Sequence, residues 1–262
     1  MKHYCNGRPA TADDLAGAVV NYGHFTSLQV RNGAVQGLDL HLRRLRQGTS
    51  ELFGSTLDGS QVQAWILAAL HAEGVVDASV RVTVFSRAFD FRQPLQVLPV
   101  DVLVAVGAPV TLPAMPRRVR SVVYQREMPQ LKHVGTFALF QHRRLALQAG
   151  FDDALFVDGQ GRVSEGTTWN VLFGRGDEVV WPQAEALRGT QERLLQAGWG
   201  GVPVLEPVRL ADLGGFDAAV ACNAAGVWPL AAIDGVGFAR SEALCRRAAV
   251  VVAATSWERL AD

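Results

Sequence analysis

Two residues in this 262-residue chain have a type and a setting suited to covalent chemistry. Lys132 ends a polar stretch and enters an apolar one. An amine held against an apolar wall has its ammonium form disfavoured, which leaves the neutral amine available as a nucleophile. Glu165 lies in VSEGTTWN, Val163 to Asn170, within a strand of otherwise buried character. A buried carboxylate needs a partner, and a protonated pyridine nitrogen would be one. Each also has a plainer reading. A lone lysine at such a boundary commonly lays its stem along apolar surface with its head in water. Asp152 and Asp153 form an acidic pair, but adjacent strand residues point to opposite faces, so they read as a turn or strand entry.

These residues need elements to hold them. Phe25 to Val30 alternates as a strand, and Asn32-Gly33 is a hairpin turn, because both central positions of that turn favour positive φ. Leu38, Leu42, Leu45 and Leu52 recur near helical spacing over Leu38 to Phe53. Ser60 with Gln63 resembles a capping box opening a second helix. Ser79 to Arg87 and Val100 to Val106 read as strands. Beyond them, VRSVVYQRE is strand-like, Thr136 to Gln148 is helical with Gly150 as its stop, and DDALFVDGQGRVSEG is a strand, a glycine turn and a strand. NVLFGRGDEVVWP forms a hairpin, Thr190 to Gly198 a short helix, and Ser241 to Leu260 a final one. Strands in hairpins, without regular βαβ alternation, indicate an α+β fold.

Composition narrows the partners. Hydrophobic residues make up 49% and charged residues 19%, with no net charge, so neither nucleic acid nor an anionic membrane is indicated. Cys5, Cys222 and Cys245 are odd in number and lack metal-ligand spacing, which fits a reducing cytoplasm. No GxGxxG, P-loop, GxSxG or HExxH pattern is present, and no metal is expected.

Lys132, the helix after it, and the block Phe151 to Leu172 together resemble the signature of class-IV enzymes dependent on pyridoxal phosphate (PLP). That family holds branched-chain and D-amino-acid aminotransferases and 4-amino-4-deoxychorismate lyases. The resemblance runs from about Asn6 to Pro229. It implies a fold-type IV architecture, with a small N-terminal α/β domain over residues 1–106, a linker over 107–117, and a larger barrel-like α+β domain over 118–262. By position, Lys132 matches the Schiff-base lysine and Glu165 the acid that pairs with the pyridinium nitrogen. His41-Leu-Arg-Arg-Leu45 resembles the family's H-x-x-R-L, so Arg44 matches the phosphate-binding arginine, although a solvated helix face is its plainer reading. Thr167 and Thr168 match small hydroxyl residues near the cofactor. Val84 to Arg92 resembles a block whose second arginine binds a substrate carboxylate, which points to Arg92. Thr26 and Ala224 fall at substrate-side positions.

Two blocks depart from the pattern. LRGTQERLL stands where L-P-G-[IV]-T-R is usual, so Gly189, Thr190 and Gln191 offer backbone donors to the phosphate while the usual hydroxyl is missing. In CNAAGVWPL, Asn223 replaces a threonine, and its amide still suits a phosphate oxygen. The expected reaction is transfer of an amino group between an amino acid and a keto acid. The alternative is the lyase, which eliminates pyruvate to give 4-aminobenzoate, and F-T-S, LKHV and CNA resemble lyase forms. A non-catalytic relative is a third reading, against which the retention of Lys132, Glu165 and Arg44 together speaks. Family resemblance also implies a homodimer.

Overall fold

The computed structural model describes residues 1–112 and 115–260. Pro113 and Ala114, within the expected linker, lie outside the described residues. The chain divides into two compact units. The first holds residues 1–110, Leu131–Gly135 and 256–260; the second holds the remaining described residues from 111 to 255.

In the first unit, β1 (Lys2–Cys5), β2 (Arg8–Pro9), α1 (Ala12–Ala18), β3 (Gly23–Val30), β4 (Ala34–Gln36), α2 (Leu38–Phe53), α3 (Gly59–Glu73), β5 (Ala78–Phe85) and β6 (Asp101–Gly107) follow in order. The sheet runs β2-β1-β6-β5-β3, antiparallel throughout. Alternation along β5 sends Val80, Val82 and Val84 to one face, where they meet Leu42 and Leu45 of α2 and Ile66 and Leu70 of α3. Each such fully buried side chain contributes about 2 kcal/mol of transfer free energy. The turn after β3 is left-handed at both Asn32 and Gly33, as expected of that pair.

The second unit contains β7 (Arg117–Val123), α4 (Phe137–Gln148), β8 (Asp153–Val157), β9 (Val163–Gly166), β10 (Asn170–Arg175), β11 (Glu178–Pro182), α5 (Thr190–Gly198), β12 (Val204–Glu206), a 3-10 turn at Leu210–Gly215, β13 (Ala218–Asn223), β14 (Gly226–Ile233), β15 (Val236–Gly237) and α6 (Ser241–Ala254). Its sheet runs β12-β11-β10-β13-β14-β7-β8-β9, with β15 paired to β14. The tight turn from Gly166 to Trp169 brings edge strand β9 next to inner strand β10, curling the sheet as a half-barrel. Val171 and Phe173 of β10 enter the interior core with Trp169 and Trp228. Leu172, between them, enters a second core with Leu195 of α5 and Leu244 and Ala248 of α6. The α+β expectation holds.

Several boundaries differ from the sequence expectation. α3 is capped by Asp58, whose carboxylate accepts the Ser60 N–H at 2.9 Å, and not by a Ser60 box. The last helix stops at Ala254, and β16 (Trp257–Arg259) pairs with β4. Glu258 then accepts the N–H of Leu38 at 3.1 Å, satisfying one orphan donor at the start of α2. Hairpins dominate, yet β7 and β8 are parallel around α4, and β14 pairs β7 in parallel.

Candidate active site

In the first unit, the segment carrying Lys132 is pinned to the start of β3. The Phe25 N–H donates to the Lys132 carbonyl at 2.9 Å, and the Val134 N–H to the Gly23 carbonyl at 3.0 Å. This holds the Lys132 Nζ 5.0 Å from the centroid of the Phe25 ring. The guanidinium of Arg81, on the neighbouring strand β5, covers the same ring at 3.5 Å. Arg81 is substantially buried, and that burial disfavours its charge. Two cations therefore contact one aromatic ring.

The H-x-x-R spacing puts His41 and Arg44 on one side of α2. Arg43, between them, is exposed and pairs with Asp39. His41 is buried, and its Nδ1 is hydrogen-bonded to the Thr26 hydroxyl at 2.7 Å. Burial, then the nearby Arg44 and Lys132 cations, push this imidazole down to about 3. His41 is thus neutral, and Thr26 is a support for His41 rather than a group open to solvent.

In the second unit, β9 places Glu165 at 5% exposure. Its Oε1 accepts the Leu187 N–H at 3.1 Å, and its Oε2 lies 3.9 Å from a terminal nitrogen of Arg126. The Asn170 amide donates to the Leu187 carbonyl at 2.8 Å, so both sides of that peptide are held. Gly189 caps α5 from an extended conformation, and a Cβ there would run into Asn170 Oδ1. Glu192 accepts the Gly189 N–H at 3.2 Å and binds Arg188 at 2.9 Å, which ties Arg188 back to its own helix. Burial raises the Glu192 carboxyl despite Arg188. Thr190 and Gln191 are buried in the first turn, and among the described residues the Gln191 Nε2 has no hydrogen-bond partner. A helix start with free N–H groups and an unused buried amide donor suits a phosphate.

Thr167 and Thr168 part company. Thr168 is exposed, and its carbonyl accepts from Asn223 Nδ2 at 3.3 Å. Ala224 follows, half-buried. Thr167 is buried and donates its hydroxyl to Asp153 Oδ1 at 2.7 Å. Asp153 also accepts from Trp169 Nε1 at 3.1 Å and from the Ala154 N–H at 2.8 Å, with Arg143 at 3.8 Å. The acidic pair is thus a buried anchor for the Gly166–Asn170 turn on one side only. Asp152 instead takes the Arg118 N–H at 2.7 Å.

Arg92 is not gathered with Lys132 in the same way. Its side chain is 73% exposed, lies near Asp90 at 3.5 Å and covers its own neighbour Phe91. Sequence reasoning does not find Arg81 and Arg126, and it reads Asp153 only as a turn or strand entry. An arginine and an aspartate inside strongly apolar strand runs were the available signal for Arg81 and Asp153. Among the described residues no cluster of three metal-ligating side chains occurs, and no helix is long and apolar enough to cross a membrane.

Residues 23–233 match the family described as Amino-transferase class IV, and the chain belongs to that family. It resembles the branched-chain aminotransferase of the archaeon Thermoproteus uzoniensis at 21% identity and a TM-score of 0.83, covering 96% of this chain and 93% of that one. A hypothetical aminotransferase from Mycobacterium tuberculosis in its PLP-bound form is 21% identical with a TM-score of 0.79, covering 97% and 99%. A provisionally named 4-amino-4-deoxychorismate lyase from Legionella pneumophila is 17% identical with a TM-score of 0.81, covering 94% and 95%. No curated protein sequence matches the chain. Pyridoxal phosphate is the cofactor of this family, whose members include aminotransferases and a lyase.

Proposed function

We propose that the protein is a PLP-dependent aminotransferase that moves an amino group between an amino acid and a keto acid. The observation that carries this reading is the pairing of Lys132 with Arg81 on the Phe25 ring, an amine nucleophile beside a fixed cation. An amino acid offers an amine for the first position and a carboxylate for the second. Bound PLP supplies a ring that withdraws electrons from the substrate's α-carbon. Lys132 is assigned the role of taking and returning the α-proton on its Nζ, and Arg44 that of neutralising phosphate charge. Neutral His41, held by Thr26, adds no further positive charge. Glu165 is assigned to the ring nitrogen, and Gly189, Thr190 and Gln191 in the first turn of α5, with Thr168 and Asn223, to the phosphate.

Incubation of the PLP-loaded protein with D- and L-amino acids tests this. Release of keto acid with conversion of the cofactor to its amine form supports transfer and gives the stereochemistry. Inertness toward every amino acid, with pyruvate and 4-aminobenzoate formed from aminodeoxychorismate, establishes the lyase instead. Assembly as a homodimer is part of the proposal. α4 leaves Phe137, Phe140, Leu145 and Leu147 at 46–80% exposure, an apolar face that a second copy would cover. Sedimentation of a monomer at micromolar concentration would refute that part.

A further inference from the structure

Two contacts at Glu165 differ in kind, one neutral and one charged. The Leu187 N–H fixes Oε1, while Oε2 faces the guanidinium of Arg126 at 3.9 Å. Both side chains are sealed from water, with 5% exposure for Arg126 and 6% for Glu165. Neither charge gains much from solvent there, so each is stabilised by the other. Arg126 comes from the stretch after β7, separated in sequence from β9 by α4 and β8. No local pattern would place a guanidinium at this spot. It is brought there by the parallel pairing of β7 with β8 and the antiparallel pairing of β8 with β9.

We propose that Arg126 is the positioning residue that keeps Glu165 a carboxylate, so that the proton between Glu165 and the ring nitrogen of bound PLP resides on the ring. A cation in contact with a carboxyl disfavours its protonated form. Without Arg126, a carboxyl at 5% exposure holds the shared proton more firmly, and the ring becomes a weaker electron sink. The Leu187 N–H cannot replace this effect, because it is a neutral donor that also serves the backbone path into Gly189. The ring half of the proposal rests on the assignment of Glu165 made above; the charge pairing does not.

Two measurements separate these parts. In cofactor-free protein, R126M removes the cation facing the buried Glu165 carboxylate, and the melting temperature is expected to fall by about 10 °C. Adding E165Q to R126M is expected to recover most of that loss, because the carboxylate that faced the cation is gone. Where R126M yields no folded protein, recovery is read as the return of folded double variant. An R126M deficit that E165Q leaves unchanged overturns the pairing, and an arginine that merely fills space gives that result. In the second measurement, PLP labelled with nitrogen-15 in its ring is bound to wild type, R126K and R126M. The resonance is expected at the protonated position in wild type and R126K, and shifted toward the neutral position in R126M. An R126M resonance coincident with wild type overturns the effect on the ring. Wild-type protein that never takes up labelled PLP sinks the cofactor assignment and the ring half with it, while the melting comparison still decides the pairing.

Discussion

Asn170 and Gly189 are packed so closely that the Asn170 side-chain oxygen occupies the space where residue 189 would carry a Cβ. The same amide holds the Leu187 carbonyl at 2.8 Å. Glycine at 189 is therefore a requirement of this contact, since its backbone is in the ordinary extended region. G189A is expected to displace Asn170 and the loop, weakening PLP binding at least about tenfold, or roughly 1.4 kcal/mol. Titration of cofactor-free protein with PLP checks this, and an unchanged Kd would remove the loop from the binding site.

Reduction of PLP-loaded protein with borohydride, followed by peptide mass analysis, should place the cofactor on the peptide containing Lys132. K132A should carry no such adduct and lose turnover. An adduct on any other lysine would refute the assignment of the nucleophile.

Arg81 and Arg92 make opposing forecasts. The guanidinium of Arg81 shares the Phe25 ring with Lys132, while Arg92 is largely exposed. Loss of a charge-assisted contact to a substrate carboxylate costs about 2–3 kcal/mol, or roughly 30- to 150-fold. R81A should raise KM by that factor, and R92A should stay within about twofold. Steady-state kinetics on one amino-acid donor decides between them.

His41 and His24 supply an acid-sensitive element. Burial lowers His24 to about 4, and burial with Arg44 and Lys132 lowers His41 to about 3. Both folded-state values lie below the unfolded value near 6.5, so the unfolded chain binds more protons in this window. Stability is full above about pH 6.5 and falls as pH drops toward those values, by up to about 1.4 kcal/mol per histidine per pH unit. Melting curves between pH 7 and 4 should show this decline, and H41N should make it shallower. A decline of the same slope in H41N would mean that His41 is not the group responsible.

Asp153 gathers Thr167, Trp169 and the Ala154 N–H on one carboxylate. D153A leaves these buried donors without an acceptor and should cost about 3 kcal/mol or more in urea unfolding. T167V removes one donor only and should cost about 1 kcal/mol. Equal losses would mean that the carboxylate is not the hub of this turn.

Much of this was legible in the one-dimensional chain wherever the controlling interactions are short-range. The leucine spacing of α2, the Asn32-Gly33 turn and the β10–β11 hairpin depend on neighbours a few residues away, and all three appeared as expected. Lys132, Glu165 and Arg44 stood out because their spacing along the chain carries a family pattern. Ser60 was misread because the competing Asp58 carboxylate is equally local and reaches the same donor.

Sequence alone therefore determined the family and pointed to the kinds of group proposed for the chemistry, since residue type and local period are properties of the chain itself. Which charges meet was decided by tertiary structure. Strand register put Arg81 over Phe25, turned Thr167 toward Asp153 and set Arg126 against Glu165, while β16 crossed the whole chain to pair with β4. The physical reason is burial. A charge removed from water must find its partner nearby in space, and nearness in space is created only when the strands have paired.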